Sequence, residues 1–167
     1  SGVIERSQSQ YCSPVVLVPR EGKTPRFCVD YRSLNSITSD EPAMLPKISD
    51  TLKELGSASV FSVLDLKSGY WQIPLHQNSK KYTAFATPDG DLFQFTVMPF
   101  GLKNAPSTFQ KLMTNILSGY LHVFCKVYLD DIIVYSANDS EHTQHLRLIF
   151  ERLRIHNLKV SPEKCKF

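Results

Sequence analysis

Three aspartates stand where carboxylates could gather a cation. Asp130 and Asp131 are adjacent, between the apolar runs 123–128 and 132–136, and Asp65 stands near the end of a third apolar run, 60–66. This spacing reads as a tight hairpin with an acidic tip, beside a strand that ends in a carboxylate. A turn aspartate is commonly structural, and so is one at a strand end. The flanking runs, however, are too apolar for a generic surface hairpin, which puts the tip close to a core. Like charges there repel by about 1–4 kcal/mol at 4 Å, depending on the effective dielectric. A divalent cation removes that penalty. If the strand 60–66 lies beside the hairpin, Asp65 meets Asp130 and Asp131. Hard oxygen ligands suit Mg²⁺ or Mn²⁺. Two such ions can activate a hydroxyl and stabilise a leaving pyrophosphate in an in-line displacement.

The elements that must hold these groups follow from pattern and punctuation. Residues 15–18 form a short apolar run stopped by Pro19, and 26–31 can be its partner strand across a turn with Gly22 and Pro25. Residues 36–46 hold two prolines and read as a linker. Pro46 opens a helix that Gly56 ends, with Ile48, Leu52 and Leu55 on one face. Strand 60–66 comes next, then a compact turn. Segments 82–87 and 92–97 flank Pro88-Asp89-Gly90-Asp91, a hairpin signal. A helix spans 104–121 with Phe109, Leu112, Met113 and Ile116 inward, and a last helix runs from about 139 to 156 with Leu146, Ile149, Phe150 and Leu153 inward. Residues 158–167 predict a short closing strand. Mixed strands, hairpins and helices predict an α+β fold, an antiparallel sheet covered by helices on one face.

Composition sets bounds on this reading. The 167 residues are 42% hydrophobic and 21% charged, with a formal net charge of +3. That suffices for a core and permits a nucleic-acid partner without demanding one. Cys12, Cys28, Cys125 and Cys165 form no CxxC pair and read as reduced thiols of an intracellular protein. No run of about 18 apolar residues predicts a membrane span, and the N-terminal stretch is no signal peptide. His142 and His145, three apart, read as a solvated helix face. The basic residues near the C-terminus, among them Arg147, Arg152, Lys159 and Lys164, could meet a nucleic-acid backbone or simply face water.

Four segments, in order, carry a resemblance. Tyr128-Leu129-Asp130-Asp131 resembles the YxDD signature of reverse transcriptases. The segment from Asp65 to Tyr70, DLKSGY, resembles their first catalytic motif. Residues 98–106, MPFGLKNAP, look like the intervening segment in the form typical of gypsy-class LTR retrotransposons, and 26–35, RFCVDYRSLN, look like their fingers motif. YxDD alone recurs by chance; four motifs in order do not.

The resemblance implies a polymerase palm with an interleaved fingers subdomain. Fingers would take 1–39 and 73–104, and palm 40–72 and 105–167. Thumb, connection and RNase H regions would lie outside the chain, in the remainder of a Pol polyprotein. Asp65 and Asp130 would be the main ligands of two Mg²⁺ (or Mn²⁺) ions, with Asp131 beside them and the Leu66 carbonyl completing one shell. Tyr70 would stack under the incoming sugar and exclude a 2′-hydroxyl. Arg26, and secondarily Lys23, would hold the dNTP triphosphate. Arg32 and Tyr128 would touch nucleic acid. Phe100 stands where retroviral enzymes often carry Gln, so it could stack on the nucleotide or pack in the core. The implied activity is DNA synthesis on a primed RNA or DNA template, in a cytoplasmic particle and without a membrane. The alternatives are a domesticated or truncated, non-catalytic nucleic-acid-binding module and, against the motif order, a two-metal nuclease.

Overall fold

The computed structural model describes residues 2–42, 55–128 and 131–167. The helix expected over 46–56 falls mostly outside them, as does Asp130. The chain divides into two compact units, Ser1–Glu41 with Tyr70–Ala105, and Pro42–Gly69 with Pro106–Phe167.

In the first unit, β1 (Ile4–Arg6) is followed by the hairpin of β2 (Val15–Arg20) and β3 (Lys23–Val29). β2 runs through Pro19, and the register shifts between Val18 and Arg20. Proline is tolerated there because the ladder is already broken at the irregularity. Then comes α1 (Arg32–Ile37), where the sequence predicted no helix. Asn35 explains it. Its side-chain amide donates to the Gly101 carbonyl at 2.8 Å and accepts from the Lys103 amide at 2.8 Å, so the turn is held by a remote loop. Gly101 has φ 93°, and a Cβ there would lie 3.5 Å from the Tyr31 ring.

A one-turn α2 (Gln77–Lys80) precedes β5 (Phe85–Ala86) and β6 (Leu92–Phe95). These strands are the expected hairpin, shortened. They complete an antiparallel sheet of order β1-β6-β5. Tyr31, Ala84, Phe85, Phe95 and Met98 are buried, and the Tyr31 hydroxyl donates to the Thr83 carbonyl at 3.0 Å.

The second unit is built on β4 (Val60–Asp65), β7 (Cys125–Tyr128) and β8 (Asp131–Ser136), in the order β4-β8-β7 and wholly antiparallel. Pairing sets Leu64 opposite Ile132 and Val127 opposite Ile132; all three are buried. Ser62, Val134 and Cys125 extend the same face. Side chains alternate along a strand, so the intervening residues form the other face.

Helix α3 (Ala105–Ile116) has Pro106 in its first turn, where a missing N–H costs nothing. It buries Phe109, Met113 and Ile116, and Gln110 donates from Nε2 to the Val127 carbonyl at 3.3 Å. Helix α4 (Asp139–Ile155) is capped by Asn138, whose side chain accepts from the Glu141 amide at 3.0 Å. Such a cap contributes about 1 kcal/mol. Asp139 and Glu141 in its first turn and Arg152 and Arg154 in its last complement the helix dipole.

α4 lays Ile149 and Leu153 into the core, but Phe150, expected inward, is 36% exposed. His142 departs further from expectation. It is buried, not solvated, because Ser62 and Ser136 on the covered sheet face give its ring polar partners. Burial, and then His145, hold its imidazole below the ordinary range, while Asp139 pulls the other way. The expected closing strand is reduced to two isolated bridges, Leu66 with Val160 and Val63 with Lys166, around a 3-10 turn at Pro162–Lys164.

Candidate active site

The register of the second unit aligns Tyr128, Asp131 and Asp65 across three strands, since Asp131 pairs with both of the others. Alternation puts this row on the sheet face opposite Leu64, Ile132 and Val127, away from the buried layer. Directly opposed residues have Cβ atoms about 4.5–5.5 Å apart, so two carboxylates face each other. Partial burial, then the Asp65 charge, push the Asp131 carboxyl above its usual range, against the pull of Lys164 and Lys166.

The Oδ1 of Asp65 is buried and has no hydrogen-bond partner. Lys164 Nζ lies 3.5 Å from it, on a side chain that is 61% exposed. That contact lends charge but does not satisfy the oxygen's lone pairs. A buried, under-coordinated carboxylate oxygen facing a second carboxylate suits a hard divalent cation. Asp130, the expected third carboxylate, lies outside the described residues. Among the described residues no group of three or more His, Cys, Asp or Glu is gathered as a metal site, here or elsewhere.

The chain around Asp65 is tied down at the backbone. The Ser161 amide donates to the Asp65 carbonyl at 2.8 Å, and the Lys67 amide to the Lys159 carbonyl at 2.9 Å. Ser68, in the turn after β4, has φ 49°, a conformation that costs a non-glycine residue energy and recurs at functional turns. The same bridges bring Lys164 to Asp65, a neighbour that no local sequence pattern announces.

Relieving the carboxylate pair has a measurable consequence. Like charges directly opposite cost about 0.2–1 kcal/mol. Asp131→Asn is therefore expected to raise the thermal midpoint in EDTA by about 1–4 °C for a domain of this size. An unchanged or lower midpoint would mean that the pair is not strained without a cation.

The first unit holds the other expected residues. Arg26 on β3 sets its guanidinium 5.6 Å from the Phe100 ring centroid. Phe100 in turn meets Tyr70 at 5.1 Å and Trp71 at 6.0 Å between ring centroids. Phe100 is thus half-buried in an aromatic cluster that carries the cation on one side. A cavity of about 440 Å³ is lined by Arg20, Arg26, Phe27, Trp71 and Phe100, among others. Lys23 stands at the hairpin turn, exposed, and does not line it. Arg32 is turned onto Asp30, with Nη2 to Oδ2 at 2.6 Å and Nε to both oxygens at 2.9 Å. The pairing holds the Asp30 carboxyl below its usual range.

Residues 18–167 match the family described as reverse transcriptase (RNA-dependent DNA polymerase). The chain belongs to that family. Among its relatives is the retrovirus-related Pol polyprotein from transposon 297 of Drosophila melanogaster. It is 40% identical over 99% of the chain, which spans 16% of that polyprotein. The Pol polyprotein from transposon gypsy of the same organism is 37% identical, over 99% of the chain and 16% of its own length. The enzymatic polyprotein of figwort mosaic virus (strain DxS) is 40% identical, over 98% of the chain and 25% of its length.

The protease-reverse transcriptase of prototype foamy virus is similar in structure, with a TM-score of 0.89 and 28% identity, over 99% of this chain and 22% of that one. A foamy viral protease-reverse transcriptase solved in complex with double-stranded DNA also scores 0.89, at 28% identity, over 99% of this chain and 29% of that one. Membership of the reverse transcriptase family and the α+β fold with antiparallel sheets are as the sequence motifs led us to expect. Among the described residues no helix is long and apolar enough to cross a membrane.

Proposed function

We propose that this chain is the fingers-and-palm portion of a retrotransposon reverse transcriptase, which adds deoxynucleotides to a primer 3′-end on an RNA or DNA template. The observation that carries this reading is the opposed pair Asp65 and Asp131, with the buried Asp65 Oδ1 that no hydrogen bond satisfies, in a chain of this family. Division into 1–39 and 73–104 as fingers, 40–72 and 105–167 as palm, is supported by compact units that change over at 41/42, 69/70 and 105/106.

Asp65, Asp130 and Asp131, with the Leu66 carbonyl, would hold two Mg²⁺ or Mn²⁺ ions. When bound, such ions activate the primer hydroxyl and neutralise the pyrophosphate. The chain's own part is to fix the carboxylates on two hydrogen-bonded strands and to present Arg26, with Lys23 at the hairpin turn, to the triphosphate. Tyr70 serves as the sugar gate. Arg32 and Tyr128 would contact nucleic acid. The partners would be a primer–template duplex, as in the foamy viral complexes with double-stranded DNA and RNA/DNA hybrid, a dNTP, and the remainder of a Pol polyprotein.

Primer extension on RNA and DNA templates with Mg²⁺ or Mn²⁺, compared with Asp130→Asn, tests this. Extension lost only in the variant supports the reading. No extension by either, repeated with downstream polyprotein sequence attached, would leave a non-catalytic binding module. The gate has its own expected result. Tyr70→Ala should raise incorporation of rNTP relative to dNTP, and an unchanged ratio in competition assays would remove Tyr70 from that role.

A further inference from the structure

His142 is a buried histidine that the proposed chemistry does not use. Its Nε2 lies 2.7 Å from the Ser62 hydroxyl on β4, and its Nδ1 lies 2.9 Å from the Ser136 hydroxyl on β8. Ser136 is also 2.8 Å from His145 Nδ1. The His145 ring stacks on Phe124, just before β7, at 4.0 Å and 6°. One turn of α4 therefore reaches β4, β8 and the residue just before β7. A neutral imidazole has one donor and one acceptor, and each hydroxyl can do either. The network closes without an orphan group in a dry environment.

The two serines are not directly opposite each other. Ser62 pairs with Val134, and Ser136 with Val60, so the imidazole spans a diagonal of the ladder. A diagonal is sensitive to register. A slip of one residue would turn one serine to the opposite face, and a slip of two would change the diagonal's length. The same register, about three residues or 10 Å further along β4, decides whether Asp65 stands opposite Asp131.

We propose that His142 is a register clamp for the carboxylate pair. By bridging Ser62 and Ser136 it fixes β4 against β8 and so sets the divalent-cation affinity of Asp65 and Asp131. It is a positioning residue, acting through two strands, and the second half of this inference rests on the metal reading above. A buried apolar residue in its place would fill the space but leave both strands free to shift.

The test uses the full chain carrying His142→Leu, Ser62→Ala or both, with folding checked by circular dichroism. The first readout, needing no metal, is amide hydrogen exchange of 60–65 and 131–136. The second is Mn²⁺ affinity in the presence of primer–template, read by electron paramagnetic resonance, with Asp65→Asn as the reference for a lost ligand. Faster exchange in both strands is expected, together with Mn²⁺ binding weakened about tenfold, the lower end of what losing a ligand's direct supporting hydrogen bonds costs, because His142 acts on the ligands only through the strands. The double variant should be no worse than the more damaging single one, because both cut one linkage.

Unchanged exchange in folded variants would overturn the clamp. Faster exchange with unaltered Mn²⁺ affinity would overturn the positioning role and leave a purely structural bridge. A wild-type chain that takes up no Mn²⁺ would instead fail the metal reading, and the exchange data would still decide the strand-locking half. If His142→Leu does not fold, Ser62→Ala decides alone, since it removes a single hydroxyl.

Discussion

Asp65→Asn is expected to lower the rate of nucleotide addition by about a thousandfold while leaving the fold intact. Asparagine has nearly the same shape, and the backbone at this position is held independently of the side chain. The Asp65 carbonyl accepts from Ser161, and the residue pairs with Asp131. What is lost is a full negative charge at the point where, on our reading, cations meet the reacting phosphate. Groups that stabilise charge developing in a transition state are worth about 10²–10³ each, and loss of a metal ligand belongs at the upper end.

The stability change should have the opposite sign. Removing the charge relieves the repulsion that, after partial burial, pushes the Asp131 carboxyl upward. The pairing that Asp65 forfeits with Lys164 is long, at 3.5 Å, and involves an exposed lysine, a kind of contact worth about 0–1 kcal/mol. A variant that is dead yet melts no lower than the parent distinguishes a site residue from a scaffold residue, because damage to the sheet would lower both. Single-turnover extension and a melting curve in EDTA decide it. A rate within a few fold of the parent would take Asp65 out of the metal shell, and a large fall in the midpoint would make its role structural.

Why the carboxylates could be read from sequence, and their surroundings could not, follows from the range of the interactions. The strand ending at Asp65 and the hairpin around Asp131 are recorded locally, in short continuous apolar runs and in close spacing. The α1 helix has six residues and buries none of them. Too short to nucleate alone, it exists because Asn35 grips a loop 66 and 68 residues away. Lys164 reaches Asp65 only because two isolated bridges fold the C-terminal segment back along β4. His142 departs from its expected solvated face for a similar reason. The spacing of two histidines on a helix says nothing of serines on the sheet below. Phe150 satisfies the helical period yet faces outward, since the period fixes an apolar stripe and not how much of it the sheet covers. The motif resemblance points to where the chemistry would lie; cross-strand and cross-chain geometry had to come from the structure.

The same distinction governs Arg26, whose replacement by alanine should cut kcat/KM for dNTP by about 10- to 150-fold, mostly through KM. Hydrogen bonds to charged groups contribute about 1.5–3 kcal/mol, which sets this range. Among the described residues Arg26 has no carboxylate partner, and its guanidinium lies over the face of Phe100 at 5.6 Å. The guanidinium is therefore held by an aromatic brace and left available to an anion. A planar fork can take two phosphate oxygens at once while resting on a ring; an ammonium keeps the charge and loses both properties. Arg26→Lys should accordingly recover only part of the loss. Phe100→Ala should reproduce a smaller share, about two- to fivefold, as expected of a cation–π contact worth about 0.5–1 kcal/mol at an exposed site. In an Arg26→Ala background the Phe100 change should add nothing further, because the ring then has no cation to brace. Full recovery by lysine, or a Phe100 effect that persists without Arg26, would mean that a point charge is enough and that Phe100 acts on the nucleotide or on Tyr70 directly.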